Sequence, residues 1–84
     1  MPFYVYMLLS KNKKRTISYV GYTNNVEKRL KLHNSSKGAK FTRGRKWVLI
    51  YKKLYFSKSK AMKEEYNLKV NYHKRKLIIS RNIN

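Results

Sequence analysis

The sequence predicts an α+β fold, a small three-stranded antiparallel sheet flanked by helices. Aromatic and β-branched residues concentrate in three short segments, residues 3–9, 17–22 and 47–56. Such segments are typical of strands, and the short polar connection over residues 11–16 predicts that the first two are antiparallel. Apolar residues at helical spacing follow the second and third segments. We expect one domain over residues 1–80 and a polar tail over residues 81–84.

Capping signals mark where the helices begin. Asn24 and Glu27 match a capping box, with Asn24 as the N-cap and Glu27 at the third helical position. Ser57 or Ser59 is expected to cap a second helix. The apolar face of that helix is expected to hold Ala61, Glu65, Leu68 and Tyr72. The sequence also predicts a short last helix that includes residues 77–79.

The third strand is expected to present one apolar side. The residues assigned to that side are Trp47, Leu49 and Tyr51. This assignment assumes an uninterrupted strand, in which alternate residues share a face.

The charge of the chain indicates its partner. The 84 residues include 22 Lys and Arg but only three acids, a formal net charge of +19, which favours a polyanion. We expect DNA, including structured or branched DNA, ahead of RNA, with much of the affinity from phosphate contacts. Lysines on a solvated surface explain part of the charge, but they do not explain the scarcity of acids.

Other classes of protein are disfavoured. The absence of cysteine removes disulfides and thiolate metal sites and is compatible with the cytoplasm, where we expect the protein to act. The apolar segment 3–9 is too short to span a bilayer and lacks the flanks of a signal peptide. No long stretch pairs a basic face with a wide apolar face, so no membrane partner is expected. The oligomeric state is left open.

A few side chains could supply phosphodiester chemistry. Tyr6 and Tyr19 lie on the first two strands, and Arg29 and His33 share one face of the first helix because they are four residues apart. Glu65 is expected on the apolar face of the second helix, where a carboxylate needs a metal ion or a cation. Two phenols, a guanidinium, an imidazole and a carboxylate suit a metal-dependent hydrolase.

These motifs resemble the GIY-YIG nuclease domain, and most closely its small stand-alone bacterial members (UPF0213-like). The resemblance covers nearly the full chain through Tyr4-Val5-Tyr6, Tyr19-Val20-Gly21, Arg29, and the segments 37–43 and 61–69. It implies a small antiparallel sheet flanked by helices. It also implies that phosphodiester bonds are cut with one divalent metal ion.

The resemblance assigns roles position by position. It implies catalytic roles for Tyr6, Tyr19, Arg29 and His33. It implies that Glu65 binds the metal ion, Mg²⁺ or Mn²⁺. Tyr4 stands where the glycine of the first half-motif would be. Two further departures are that Tyr22 stands where some members have lysine, and that the asparagine which some members carry well after the glutamate has no assigned counterpart here.

Elementary chemistry is compatible with these roles. Mg²⁺ keeps most of its waters, so one glutamate can anchor it. Arg29 could clamp phosphate oxygens bidentately. Either Tyr6 or Tyr19 could accept the proton of the attacking water, with assistance from the metal ion and nearby cations because a free phenol has a pKa of about 10. Read without the resemblance, the tyrosines are equally well explained as core aromatics. Glu65 would then form an ion pair with Lys69.

The loop before the third strand is basic. We expect phosphate contacts from Lys37, Lys40, Arg43, Arg45 and Lys46. Phe41 in this loop could stack on an unpaired base or could plug the local core. No helix-turn-helix, zinc-finger or RNP motif is present, so base-specific recognition is not expected.

The sequence therefore predicts a divalent-metal-dependent DNA endonuclease. The alternative is a basic nucleic-acid-binding module with a vestigial or inactive nuclease site. A small RNA-binding protein would explain the charge, but it would not explain Glu65 or the set of tyrosine, arginine and histidine.

Overall fold

A computed structural model describes residues 2–11 and 15–82 of the chain. In chain order its elements are β1 (Phe3–Lys11), β2 (Thr16–Thr23), α1 (Val26–Asn34), a 3₁₀ helix (Lys40–Thr42), β3 (Val48–Tyr55), α2 (Lys58–Val70) and α3 (Tyr72–Asn82). The expected α+β class, with three antiparallel strands flanked by helices, is confirmed. The expected turn between the first two strands falls on residues 12–14, outside the described residues. No helix in the described part of the chain is long and apolar enough to cross a membrane.

The first strand lies in the middle of the sheet. β1 pairs antiparallel with both β2 and β3, which gives the spatial order β2-β1-β3. Because successive side chains of a strand point to opposite faces, β1 supplies apolar residues to both faces at once. This double burial explains why its sequence is a continuous apolar run instead of an alternating one.

A bulge interrupts the pairing of β1 with β3. Met7 pairs with Tyr51 but Leu8 pairs with Leu49, so Ile50 is the extra residue. Leu49 packs on one face of the sheet and Tyr51 on the other. The expectation that both share a side with Trp47 is therefore wrong, because the bulge reverses the alternation beyond it.

Two cores flank the sheet. Val5 and Met7 face α2 and α3, where they pack with buried residues of the helices and of β2, namely Val20, Ala61, Leu68 and Ile78. Tyr6 and Leu8 face the opposite side, where they pack with Trp47. Because side chains alternate along β1, Tyr6 points to the side of the sheet that carries α1 and the basic loop (residues 37–46).

Helix α1 begins one residue later than expected. Asn25 is the N-cap, since its side-chain oxygen accepts a hydrogen bond from the Lys28 N–H at 3.0 Å. The Thr23 hydroxyl oxygen accepts a bond from the Asn25 N–H at 3.2 Å, which favours the extended conformation of that residue. The capping box that we expected from Asn24 does not form. Glu27 is the second helical residue and lies in the first turn, where a negative charge is favourable.

The second and third helices meet at a sharp break. Ser57, one of the two expected candidates, caps α2. The helix ends at Val70, and Asn71 separates it from α3. Tyr72 therefore begins α3 and is exposed, instead of completing the apolar face of α2. Helix α3 contains residues 77–79, as expected, and extends through Asn82.

Candidate active site

The centre of the candidate site is a hydrogen bond between β1 and α1. The Tyr6 hydroxyl lies 2.9 Å from His33 Nε2, and the two residues are only 1% and 0% exposed. Gly21 pairs with Tyr6 on β2, and a Cβ at this glycine would lie 2.5 Å from the Tyr6 hydroxyl oxygen. A glycine is required there because the Tyr6 ring crosses directly over the backbone of β2.

The loop after α1 determines where the protons of His33 lie. Thr42 Oγ1 is 2.8 Å from His33 Nδ1 and 2.8 Å from the Ala39 carbonyl oxygen. A carbonyl can only accept, so the single hydroxyl proton of Thr42 goes to Ala39, and Thr42 Oγ1 accepts from the Nδ1–H of a neutral imidazole. His33 Nε2 is then an acceptor, and the Tyr6 hydroxyl donates to it.

The same loop also packs tightly against the imidazole. A Cβ at Gly38 would lie 2.5 Å from His33 Nδ1, so a larger residue would displace the ring. The Trp47 indole N–H donates to the Thr42 carbonyl at 2.9 Å, which holds the 3₁₀ helix against the core. The tautomer of His33 is therefore set by a loop that is itself anchored.

Arg29 lies one turn before His33 in α1 and acts on the Tyr6 oxygen. Burial raises the pKa of Tyr6 to about 12, while hydrogen bonding and charge from Arg29 oppose the rise and the charges of Tyr19 and Glu65 add to it. Burial, together with the charge of Arg29, lowers the pKa of His33. At neutral pH both Tyr6 and His33 are uncharged, and Arg29 supplies a positive charge to the cluster.

Tyr19 is the more accessible of the two predicted tyrosines. Its ring centroid lies 5.0 Å from that of His33 and 6.4 Å from that of Tyr6. On its other side it stacks on Phe41 at 6.2 Å, with 22° between the ring planes. Tyr19 is only partly buried, whereas the Tyr6 hydroxyl is enclosed and already hydrogen-bonded.

Glu65 lies on α2, which packs on the face of the sheet opposite Tyr6. Its side chain is 17% exposed and forms an ion pair with Lys69, with Oε1 3.4 Å from Nζ. This is the pairing that the sequence left open as the alternative to a metal ion. Glu65 is close enough to Tyr6 for its charge to contribute to the raised pKa of that phenol.

The donor set near Glu65 limits which metal could bind. Among residues 2–11 and 15–82, no group of three or more His, Cys, Asp and Glu side chains could hold a metal ion. A single carboxylate suits a hard, largely hydrated cation such as Mg²⁺. It does not suit Zn²⁺, which takes three or four protein ligands. The residues therefore fit a hydrated Mg²⁺ or Mn²⁺ ion anchored at one point.

The basic loop is ordered by hydrogen bonds to the end of α1. The Asn34 side chain accepts from the Trp47 N–H at 2.6 Å and donates to the Trp47 carbonyl at 3.1 Å. Ser36 and Gly44 adopt left-handed conformations, and the Gly44 N–H donates to Ser36 Oγ at 3.1 Å. Four of the five predicted phosphate-binding residues are exposed and one is partly buried: Lys37, Lys40, Arg43 and Lys46, and Arg45 respectively.

The structure brings four of the five predicted side chains together, whereas Glu65 lies on α2, which packs on the opposite face of the sheet from Tyr6. Tyr6, Tyr19 and His33 are in contact, Arg29 acts on Tyr6 and His33, and Glu65 lies within electrostatic reach. The residue of the candidate site that sequence reasoning missed is Thr42, which is 0% exposed and hydrogen-bonds to His33. No periodic pattern connects the two residues, since Thr42 lies nine positions later in an irregular loop.

Acid is expected to destabilise the fold through His33. Because the folded pKa of His33 lies below its ordinary value of 6.5, the unfolded chain binds the proton first as the pH falls. The contribution of the neutral His33 to the free energy of unfolding is therefore complete above about pH 6.5 and is lost as the pH falls below that value. Urea unfolding midpoints at about pH 7.5 and about pH 5 measure the effect.

Two variants separate His33 from the other histidine. His33→Gln is expected to reduce the difference between the two midpoints, whatever its effect on absolute stability. His73→Gln, at an exposed position on α3, is expected to keep the difference. An equal pH dependence in all three proteins would contradict the assignment.

Comparisons with a family model and with known proteins all indicate the same family. A family model described as the GIY-YIG catalytic domain matches residues 2–78. A UPF0213 protein from Oceanobacillus iheyensis is 46% identical over 78 residues, which cover 89% of this chain and 87% of that protein. A UPF0213 protein from Staphylococcus haemolyticus is 44% identical over 75 residues, covering 88% of each chain.

A solved structure is also similar. The solution NMR structure of a UPF0213 protein from Bacillus halodurans shares 38% sequence identity, with a TM-score of 0.50. The match covers 98% of this chain and 86% of that one. The names of these relatives state no activity.

Proposed function

Because this chain belongs to the GIY-YIG family, a family of nucleases that use divalent metal ions, we propose that it is a metal-dependent endonuclease that hydrolyses DNA phosphodiester bonds. The observation that carries the proposal is the buried chain of hydrogen bonds from Tyr6 through His33 to Thr42, directly beside Arg29. A buried polar network next to a fixed positive charge suits a site built to bind a phosphate.

Arg29 is the phosphate-binding group in this proposal. Its guanidinium can donate two parallel hydrogen bonds to non-bridging phosphate oxygens, which a lysine cannot do. Tyr6 positions it, because the Tyr6 oxygen is held by its bond to His33. Thr42 in turn holds His33, so the position of Arg29 depends on groups from β1, α1 and the loop.

Tyr19 is the residue that we assign to proton transfer. The Tyr6 hydroxyl proton is already donated to His33, whereas Tyr19 is partly exposed on the surface of the cluster. A water molecule between Tyr19 and the phosphate could lose its proton to the Tyr19 oxygen as it attacks, provided that Tyr19 has first given up its own proton, because only a phenolate is basic enough to accept it. General-base assistance of this kind contributes typically about 10²–10⁴-fold to a rate.

Glu65 is the residue that would hold the metal ion, Mg²⁺ or Mn²⁺. When bound, such an ion polarises the phosphate and stabilises the charge that develops in the transition state. Binding requires the Glu65 carboxylate to leave Lys69, whose exposed amino group can move into solvent. That rearrangement costs little, because a partly exposed ion pair contributes at most about 1 kcal/mol.

A cleavage assay tests the proposal directly. Purified protein is incubated with supercoiled plasmid and with a branched oligonucleotide, in Mg²⁺, in Mn²⁺ or in EDTA. We expect nicked or linear products with either metal ion and intact DNA in EDTA. Persistent cleavage in EDTA would contradict the metal-dependent mechanism.

The second candidate is a DNA-binding module with an inactive nuclease site. The Glu65–Lys69 ion pair favours it, because the pair already satisfies the carboxylate without a metal ion. Tight DNA binding without cleavage in any divalent metal ion, on any of these substrates, would establish this alternative.

The basic loop is expected to dominate DNA affinity. Lys40→Ala and Arg43→Ala should each weaken binding to all sequences alike and lower the salt slope of the affinity by about one, since each removes a phosphate contact. Fluorescence anisotropy over a range of salt concentrations measures this slope. Lys74→Ala is the control, because it removes an exposed lysine from α3, which packs on the opposite face of the sheet. A larger effect from Lys74 than from the loop would move the interface away from the candidate site.

A further inference from the structure

Phe41 is exposed to solvent, whereas a side chain that filled the local core would be buried. It lies in the 3₁₀ helix of the basic loop with 58% of its surface exposed, while its neighbour Thr42 and the nearby Trp47 are 0% and 3% exposed. These two residues already close the local core. The exposed area of Phe41 is therefore not needed for packing, although exposing an aromatic ring is unfavourable.

The ring of Phe41 continues a stack that leads to the candidate active site. Phe41 lies nearly parallel to Tyr19, with their centroids 6.2 Å apart, and Tyr19 contacts His33 at 5.0 Å. Trp47 supports Phe41 from the side at 6.4 Å, so the ring is held in place from two directions. A held aromatic ring with an open face is a stacking platform for a nucleobase.

A cleft of about 510 Å³ opens beside Phe41, towards the end of the β1–β2 hairpin. Its lining residues are Arg15, Thr16, Ile17, Ser18, Phe41 and Arg45. The volume falls within the range of about 300–1,000 Å³ that is usual for small-molecule sites. The two arginines give the cleft positive charge, which attracts phosphates, and the phenyl ring gives it an apolar surface.

We propose that this cleft is a subsite for an unpaired nucleotide of the DNA substrate, whose base stacks on Phe41 while Arg15 and Arg45 bind its flanking phosphates. Away from the ends of a duplex, both faces of a base are covered by its neighbours, so there only an unpaired base can offer a face to Phe41. The proposal deepens the nuclease function and rests on it. It names the substrate class as DNA with an unpaired strand next to the scissile phosphate.

The test uses binding in EDTA, so it does not depend on cleavage. The full-length protein is titrated into a single-stranded oligonucleotide with a 2-aminopurine base and into the matching blunt duplex. Stacking of 2-aminopurine quenches its fluorescence, and anisotropy gives the affinity for each DNA. We expect the wild type to quench the single-stranded probe and to bind it more tightly than the duplex.

Phe41→Leu keeps apolar area but removes the aromatic face. A stacked base contributes about 1–3 kcal/mol, so the variant is expected to lose about 5- to 150-fold in affinity for the single strand. Its affinity for the duplex should change less than about twofold, and Phe41→Trp should restore quenching. Lys40→Ala, the matched control from the same 3₁₀ helix, should lower the affinity for the single strand and for the duplex alike.

The possible outcomes are distinct. An unchanged single-strand affinity in Phe41→Leu, or an equal loss on both DNAs, would overturn the subsite. If no DNA is cut under any condition but Phe41→Leu still loses single-strand binding selectively, the nuclease proposal fails and the subsite stands. Circular dichroism confirms that each variant is folded.

Discussion

Replacing Glu65 with Gln is expected to reduce DNA cleavage by orders of magnitude while the protein remains folded. The change keeps the shape of the side chain but removes its charge, which is the anchor that we propose for the metal ion. Transition-state stabilisation by a bound metal ion is worth several kcal/mol, and every 1.4 kcal/mol or so is a factor of ten in rate. DNA affinity in EDTA should hold or rise slightly, because a negative charge near the phosphates is gone.

Glu64→Gln is a closely matched control. Glu64 immediately precedes Glu65 in α2 but points about 100° away around the helix, and its carboxylate forms an ion pair with Lys60 at 3.2 Å. The Glu64→Gln variant should therefore cleave DNA at a rate close to that of the wild type. If Glu65→Gln cleaved as fast as the wild type, the metal ion would have to bind elsewhere. If both variants were equally impaired, the loss would reflect the charge of the helix and not one ligand.

Tyr19→Phe is expected to lower the cleavage rate by about 10²–10⁴-fold, the usual contribution of a general base. The variant keeps the ring that stacks on Phe41 and contacts His33, so the fold and DNA affinity should be unchanged. Single-turnover cleavage at saturating protein measures the chemical step, and anisotropy measures binding.

Two further tyrosines make the comparison specific. Tyr22→Phe alters the same strand at a residue that packs on the α2–α3 side of the sheet, and it should cleave normally. Tyr6→Phe should cost about 10²-fold, because it removes a group that positions Arg29 without touching the attacking water. A loss in Tyr6→Phe that exceeded the loss in Tyr19→Phe would reverse the two roles.

Much of the fold could be predicted because its signals are local. β1 carries an apolar run over residues 3–9 because it is the central strand, and Ser57 caps α2 by accepting a hydrogen bond from a backbone N–H three residues away. The cluster of Tyr6, Arg29 and His33 could be predicted as well. Residues on one helix face and one strand face meet whenever the helix packs on that side of the sheet.

The features that the sequence could not predict depend on contacts between distant segments. The bulge at Ile50 arises from pairing with β1 and leaves no pattern of its own. The choice of Asn25 over Asn24 as N-cap depends on which residue the Thr23 hydroxyl can reach. Thr42 orients His33 only because the loop folds back over α1, held by the bonds from Asn34 to Trp47. Such irregular geometry has no period that a sequence pattern could show.

The central position of β1 has a consequence for synthesis of the protein on the ribosome. Of the three strands it is made before the other two and can pair with β2 as soon as that strand follows, but its second edge has no partner until Val48–Tyr55 has been made. During that interval the nascent chain presents an apolar strand with unpaired N–H and C=O groups, which is a site for association with other chains. The surplus of lysine and arginine then acts as protection, since like-charged chains repel one another before the sheet is complete.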